Sequence, residues 1–147
     1  MIQFKTKPFS ELSPNELYEM LQLRSEVFVV EQNCAYQDID GKDQKAIHVL
    51  GYSDGILVAY SRLFKPKDYF EYSSIGRVIV KASHRDKKLG HKLMRVSIDA
   101  ITTLFQETKI TISAQFYLQK FYESHGFIVV GESYLEDDIP HIEMKSE

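Results

Sequence analysis

Apolar positions recur at helical spacing through Leu17, Met20, Leu21, Val27 and Phe28, and one charged residue, Arg24, shares their face. Ahead of them Ser13-Pro14-Asn15-Glu16 reads as a helix start. Ser13 can cap, Pro14 suits the first helical position, and Glu16 completes a capping box. Ile2 to Lys5 reads as a first strand. Asn33 to Gln44 has no period and reads as a loop or short helix. Ile47–Tyr52 and Ile56–Phe64 have strand character, and Ser53-Asp54-Gly55 between them marks a hairpin. Pro66–Tyr72 is a polar and aromatic loop. Ser74–Val80, rich in β-branched residues, suits a central strand. Leu89, Leu93, Val96, Ile101 and Leu104 mark a second helix, and Ile110–Ala114 a buried strand. Phe116–Ser124 reads as a helix ended by Gly126. Phe127–Tyr134 and His141–Lys145 close the chain as two strands around an acidic turn. The order of elements predicts one domain over residues 1–147, α/β or mixed α+β in class.

Composition narrows the function classes. A chain of 147 residues can bury a core without staples. An apolar fraction of 44% and a charged fraction of 27% argue against disorder and fibrous repeats. No apolar run reaches the roughly 18 residues that a membrane helix needs. Met1 to Lys5 lacks the basic start and apolar run of a secretion signal. The one cysteine, Cys34, can form no internal disulfide and suits an inert small hydrophobe, so a reducing, cytoplasmic setting is expected. The five histidines show no metal spacing, and His48, His84, His91 and His125 suit structural or surface places. Asp38-Ile39-Asp40-Gly41 resembles the start of a calcium loop, but the glycine comes too early and the twelfth position is Val49. No metal is expected.

Charge changes the picture more. The net charge is −3, yet Lys81 to Arg95 holds six basic residues and one acid, which makes +5 there and −8 elsewhere. The acids gather at Glu31, Asp38, Asp40 and Asp43, and again at Glu136, Asp137 and Asp138. One compact basic segment on an acidic background points to a compact polyanion. The overall acidity and the lack of an aromatic-basic platform argue against nucleic acid. In the basic segment a buried strand, Ile75–Val80, runs through a short loop into the helix that contains Leu89. A helix N-terminus offers free N–H groups and partial positive charge to phosphate. Arg85, Lys87 and Lys88 add charge, and Gly90 allows close approach. Neither the Walker pattern nor the three-glycine dinucleotide fingerprint is present.

At these residues the chain resembles the GNAT superfamily of acyl-CoA-dependent N-acyltransferases. The family pattern is an apolar strand, then Arg or Gln, two residues, Gly, one residue, and Gly or Ala. It falls on Val78-Ile79-Val80 and Arg85-Asp86-Lys87-Lys88-Leu89-Gly90. A second pattern, Tyr four residues before Gly-Phe, falls on Tyr122 and Gly126-Phe127, with Gln115 where the family often has Asn. Phe28-Val29-Val30-Glu31-Gln32-Asn33-Cys34, Tyr36–Gly41 and Ile139-Pro140-His141-Ile142 resemble the ElaA-like branch. The resemblance implies a GNAT-like domain with a central twisted mixed sheet of six to seven strands and about four helices.

For chemistry, the resemblance implies acetyl-CoA as donor and an amine as acceptor. The pantetheine arm would pair along Val78, Ile79 and Val80. The pyrophosphate would lie on the amides of Arg85, Asp86, Lys87, Lys88, Leu89, Gly90 and His91, with Gln115 nearby. The amine attacks directly, a tetrahedral intermediate forms, and Tyr122 protonates the leaving thiolate. An N–H near Val78 would stabilise the oxyanion. Lys88 stands where the family has glycine; an already helical backbone there would spare it strain. The base stays open among Glu31, His141 and a water linked to Arg77. The acceptor groove would run past Arg24, Phe28, Glu31, Arg77 and His141, although Arg24 can instead snorkel. The acidic clusters would favour a cationic amine. A homodimer is possible through an exposed strand edge. The alternative class is a non-catalytic acyl-CoA sensor of the same fold.

Overall fold

The Ser13 hydroxyl accepts from the Glu16 N–H at 3.1 Å, and the Glu16 carboxylate accepts from the Ser13 N–H at 2.9 Å, so the capping box closes on both sides. It starts helix α1 (Pro14–Arg24), which widens into a π-helical stretch over Ser25–Glu31. The computed structural model describes residues 2–147, apart from the side chains of Asp86 and Lys87. Strand β1 (Ile2–Pro8) precedes α1; β2 (Ile47–Ser53), β3 (Ile56–Phe64) and β4 (Ser73–Val80) follow it. Then come α2 (Leu89–Phe105), β5 (Ile110–Gln115), α3 (Gln119–Glu123), β6 (Ile128–Glu136) and β7 (Ile139–Ser146). The strands form one mixed seven-stranded sheet in the order β1-β2-β3-β4-β5-β7-β6.

Strand alternation splits the core between the sheet's two faces. Val49 and Ala59 pack with Leu93, Met94 and Ile101 of α2, while their neighbours Leu50 and Tyr60 pack with Met20, Leu23 and Val27 on the α1 side. The described residues hold three α-helices where about four were expected. The π stretch and the 3₁₀ turns over Ala82–Lys87 and Phe116–Leu118 occupy the remaining helical-looking sequence.

Two features open the sheet. β4 and β5 are parallel, and only Ser73 with Ile110 and Ser74 with Thr111 are in register, so the strands part beyond that point. On its other side β4 is bulged. Tyr60 pairs with Ile79 and Arg62 with Gly76, which leaves Arg77 and Val78 opposite Ser61 alone. Arg77 takes φ 50°, a left-handed conformation that costs a side-chain-bearing residue on the order of 1–2 kcal/mol. Asp137 and Asp138, at φ 50° and 63°, form the tight β6–β7 turn.

Candidate active site

A groove of about 610 Å³ fills the gap where β4 leaves β5. Val78, Ile79 and Val80 form part of one wall, and their β5-facing edge has no ladder partner. At the mouth stands the N-terminus of α2, seventeen residues long and without a side-chain cap among the described residues. The first amides of a helix lack intrahelical partners and suit an anion. The residue before it, Lys88, has φ 55° and ψ 24°. This corrects the helical backbone expected there: the position is left-handed, and Lys88 carries the strain that glycine would avoid. Lys88, Gly90 and His91 line the groove, whereas the Leu89 side chain is buried in the core. The parts assigned to the side chains of Asp86 and Lys87 lie outside the described residues. A Cβ on Gly90 would come within 3.3 Å of the Phe121 ring, so the glycine makes room for that ring.

Arg85 leaves the loop to bond the Val80 carbonyl at 2.9 Å and to pair doubly with the Glu31 carboxylate. The neighbouring Gln32 and Gln115 exchange amide hydrogen bonds at 3.2 and 3.3 Å. Cys34 donates to the Asp137 carbonyl at 3.1 Å. The π-helical stretch and the residues just after it thus strap across the groove, tied to the loop before α2, to β5 and to the last hairpin. Tyr122 is 6% exposed and sits edge-on to Phe121 and Phe127. Burial, helped by Tyr117, pushes its phenol above the usual value, so it stays protonated. Among the described residues nothing hydrogen-bonds its hydroxyl.

The acceptor half differs from expectation. Arg24 neither snorkels nor lines the groove: it is wholly buried, with Nε 2.8 Å from Asp38 and Nη1 2.8 Å from Asp43. Arg62 pairs with Asp40 and Asp43 at 2.8 and 2.9 Å, and Arg77 with Asp38 at 2.8 Å. Three guanidinium groups thus neutralise three carboxylates. Burial alone would raise the Asp40 carboxyl, but Arg62, the Lys42 amide and Arg77 outweigh it and hold the group near 2. The lattice fixes the patternless loop and swings Arg77 out of β4, against Phe28 and Tyr36. Asp38 and Asp40 are therefore not free to attract a cation, and Glu31 is taken by Arg85. Glu136 and Asp137 remain on the groove's rim. His141 lines it too, with Nδ1 2.7 Å from the Ile139 carbonyl and Nε2 3.6 Å from Glu136.

Sequence reading passed over Arg62, Gln32, Ser113 and Tyr134 as groove or support residues. Arg62 had a signal: a charged residue inside an apolar strand needs a buried partner, and three acids, Asp38, Asp40 and Asp43, stood in the loop before it. Gln32, Ser113 and Tyr134 had none, because only the fold brings their elements together.

A model of the acetyltransferase (GNAT) domain matches residues 10–147. The chain belongs to the GNAT family. It is 48% identical to protein ElaA of Escherichia coli, over the whole chain and 97% of that protein. The crystal structure of E. coli ElaA superposes with a TM-score of 0.94 at 47% identity, covering both chains completely. An acyl-CoA N-acyltransferase from Pseudomonas aeruginosa does so with 0.92 at 44%, covering 99% of each chain. This GNAT chain therefore has the fold of acyl-CoA-dependent N-acyltransferases, and the resemblance to the ElaA-like branch holds over its full length. No helix among the described residues is long and apolar enough to cross a membrane.

Proposed function

We propose that the protein is an N-acetyltransferase, using acetyl-CoA as donor and an amine as acceptor. One observation carries the reading: the uncapped α2 N-terminus, the unpaired edge of β4 and the hydroxyl of Tyr122, which bonds none of the described residues, all meet a single groove. These are the groups the substrate asks for. Amides and Arg85 suit its diphosphate, the strand edge suits its amide-bearing arm, and the phenol suits its departing sulfur. The donor supplies an activated thioester; the chain supplies placement and a proton. A phenol holds its proton at neutral pH, so the proton is there for the departing thiolate. The bulge at Arg77–Val78 leaves backbone groups without a β3 partner beside the reacting carbon, which suits oxyanion stabilisation near Val78. With Glu136 and Asp137 on the acceptor side of the groove, the acceptor is an amine that arrives as a cation.

Release of coenzyme A thiol from acetyl-CoA over a panel of cationic and neutral amines tests this, with Tyr122→Phe as control. Turnover led by cationic amines is expected. Stabilisation by coenzyme A without turnover of any amine would instead make the protein an acyl-CoA sensor.

A further inference from the structure

We infer that His141 is the base that removes the proton from the incoming ammonium, and that Glu136 positions and stabilises it. This rests on the acetyl-transfer reading above and names the group that reading leaves open. Of the three candidates the sequence allows, Glu31 is paired with Arg85, and a water linked to Arg77 would sit beside a guanidinium cation, which makes it a poorer base. The imidazole alone is left with a nitrogen to offer. A carbonyl oxygen only accepts, so the 2.7 Å contact between Nδ1 and Ile139 puts the ring hydrogen on Nδ1. Nε2 then carries the lone pair.

Its surroundings are built for a cation to form. Glu136 Oε2 lies 3.6 Å from Nε2, too far for a resting hydrogen bond and near enough to close on an imidazolium. Ser113 donates to the other oxygen of the same carboxylate at 3.1 Å and also meets the Tyr134 hydroxyl. The Tyr134 ring stacks on His141 at 6.2 Å. The titratable groups facing the imidazole are Glu136 and Tyr134 of β6, with Asp137 of the turn sharing the groove. On β5 its register partner is the uncharged Gln115. Among the described residues no basic side chain pairs with Glu136 or bonds His141.

The proton balance closes. Nε2 takes one proton from the ammonium, and the freed nitrogen lone pair forms the C–N bond. The C–S bond breaks, and the thiolate takes the Tyr122 proton. The phenolate recovers a proton from the new nitrogen as it becomes an amide, and the imidazolium releases its own to water.

The test uses the full chain, acetyl-CoA and two acceptors of similar shape, an alkylamine and a weakly basic hydrazide that is already neutral at pH 7. His141→Gln should lower kcat/KM about 10²-fold for the alkylamine and only a few-fold for the hydrazide, and should abolish the acid limb of the pH profile. Coenzyme A affinity by calorimetry should stay within about twofold. Glu136→Gln should cost roughly tenfold for the alkylamine and only a few-fold for the hydrazide, because the imidazolium that forms loses its counter-charge. Equal losses for both acceptors, or an acid limb that survives in His141→Gln, would overturn the assignment while leaving acetyl transfer intact. If His141→Gln does not fold, equal losses for the two acceptors in Glu136→Gln overturn it. A wild-type protein that turns over neither acceptor overturns the transfer reading and this one with it.

Discussion

The two ends of the groove are made of different material. At the donor end the functional groups are main-chain: the free amides of α2, the open edge of β4, and one exposed arginine that holds Glu31. At the proposed acceptor end they are side chains, Glu136, Asp137 and His141, beside a buried lattice in which Arg24, Arg62 and Arg77 are set against Asp38, Asp40 and Asp43. Backbone donors need only the right local conformation, and a few residues of sequence dictate that. A buried charge lattice needs every partner at once, because any ion left alone in the core costs several kcal/mol. The donor end should therefore tolerate substitution with graded loss, while the acceptor end fails as a unit.

The sharpest contrast is in stability. Arg24→Met removes the buried cation that Asp38 and Asp43 share, leaves them only Arg77 and Arg62, and should destabilise by about 3–5 kcal/mol in denaturant titration. Arg85→Gln breaks a largely exposed pair and should cost less than about 1 kcal/mol by the same titration. Similar values for the two would erase the distinction. If the phenol protonates the departing thiolate as proposed, Tyr122→Phe should lower kcat about 10²–10³-fold and leave coenzyme A affinity within about threefold. Arg85→Gln should weaken coenzyme A binding about tenfold, with a flatter salt dependence in calorimetry. Acid should discriminate more gently. Asp40 is held near 2 in the fold against an ordinary 3.8, so its contribution is present above about pH 4 and is lost as pH falls toward 2. Asp40→Asn should flatten the stability profile across that window, and an unchanged profile would mean the lattice does not bear the load assigned to it.

The elements that line the open end of the groove were legible in the sequence because local residues set them. The strand, loop and helix at Ile75–Met94 and the Tyr122 pattern are local, and local patterns survive reading in one dimension. The capping box at Ser13 and the Asp54-Gly55 hairpin were legible on the same ground. The lattice was not, because Arg24, the loop acids, Arg62 and Arg77 are joined across 14 to 39 positions of chain. Arg24 on an apolar helical face reads as a snorkelling or pocket residue until the loop folds over it. Lys88 misled for a related reason: nothing in its neighbours' identities announces a left-handed residue where glycine is absent. The π-helical stretch was hidden as well, since Val27 and Phe28 fit an α-helical period.

Calorimetry with fragments of one ligand addresses the donor end most directly. Coenzyme A, dephospho-coenzyme A, which keeps the diphosphate, and pantetheine, which lacks it, are titrated into the wild-type chain. If the uncapped amides of α2 grip the diphosphate, the first two bind within about tenfold of each other and pantetheine binds at least about 10²-fold more weakly. Pantetheine binding as tightly as coenzyme A would contradict it.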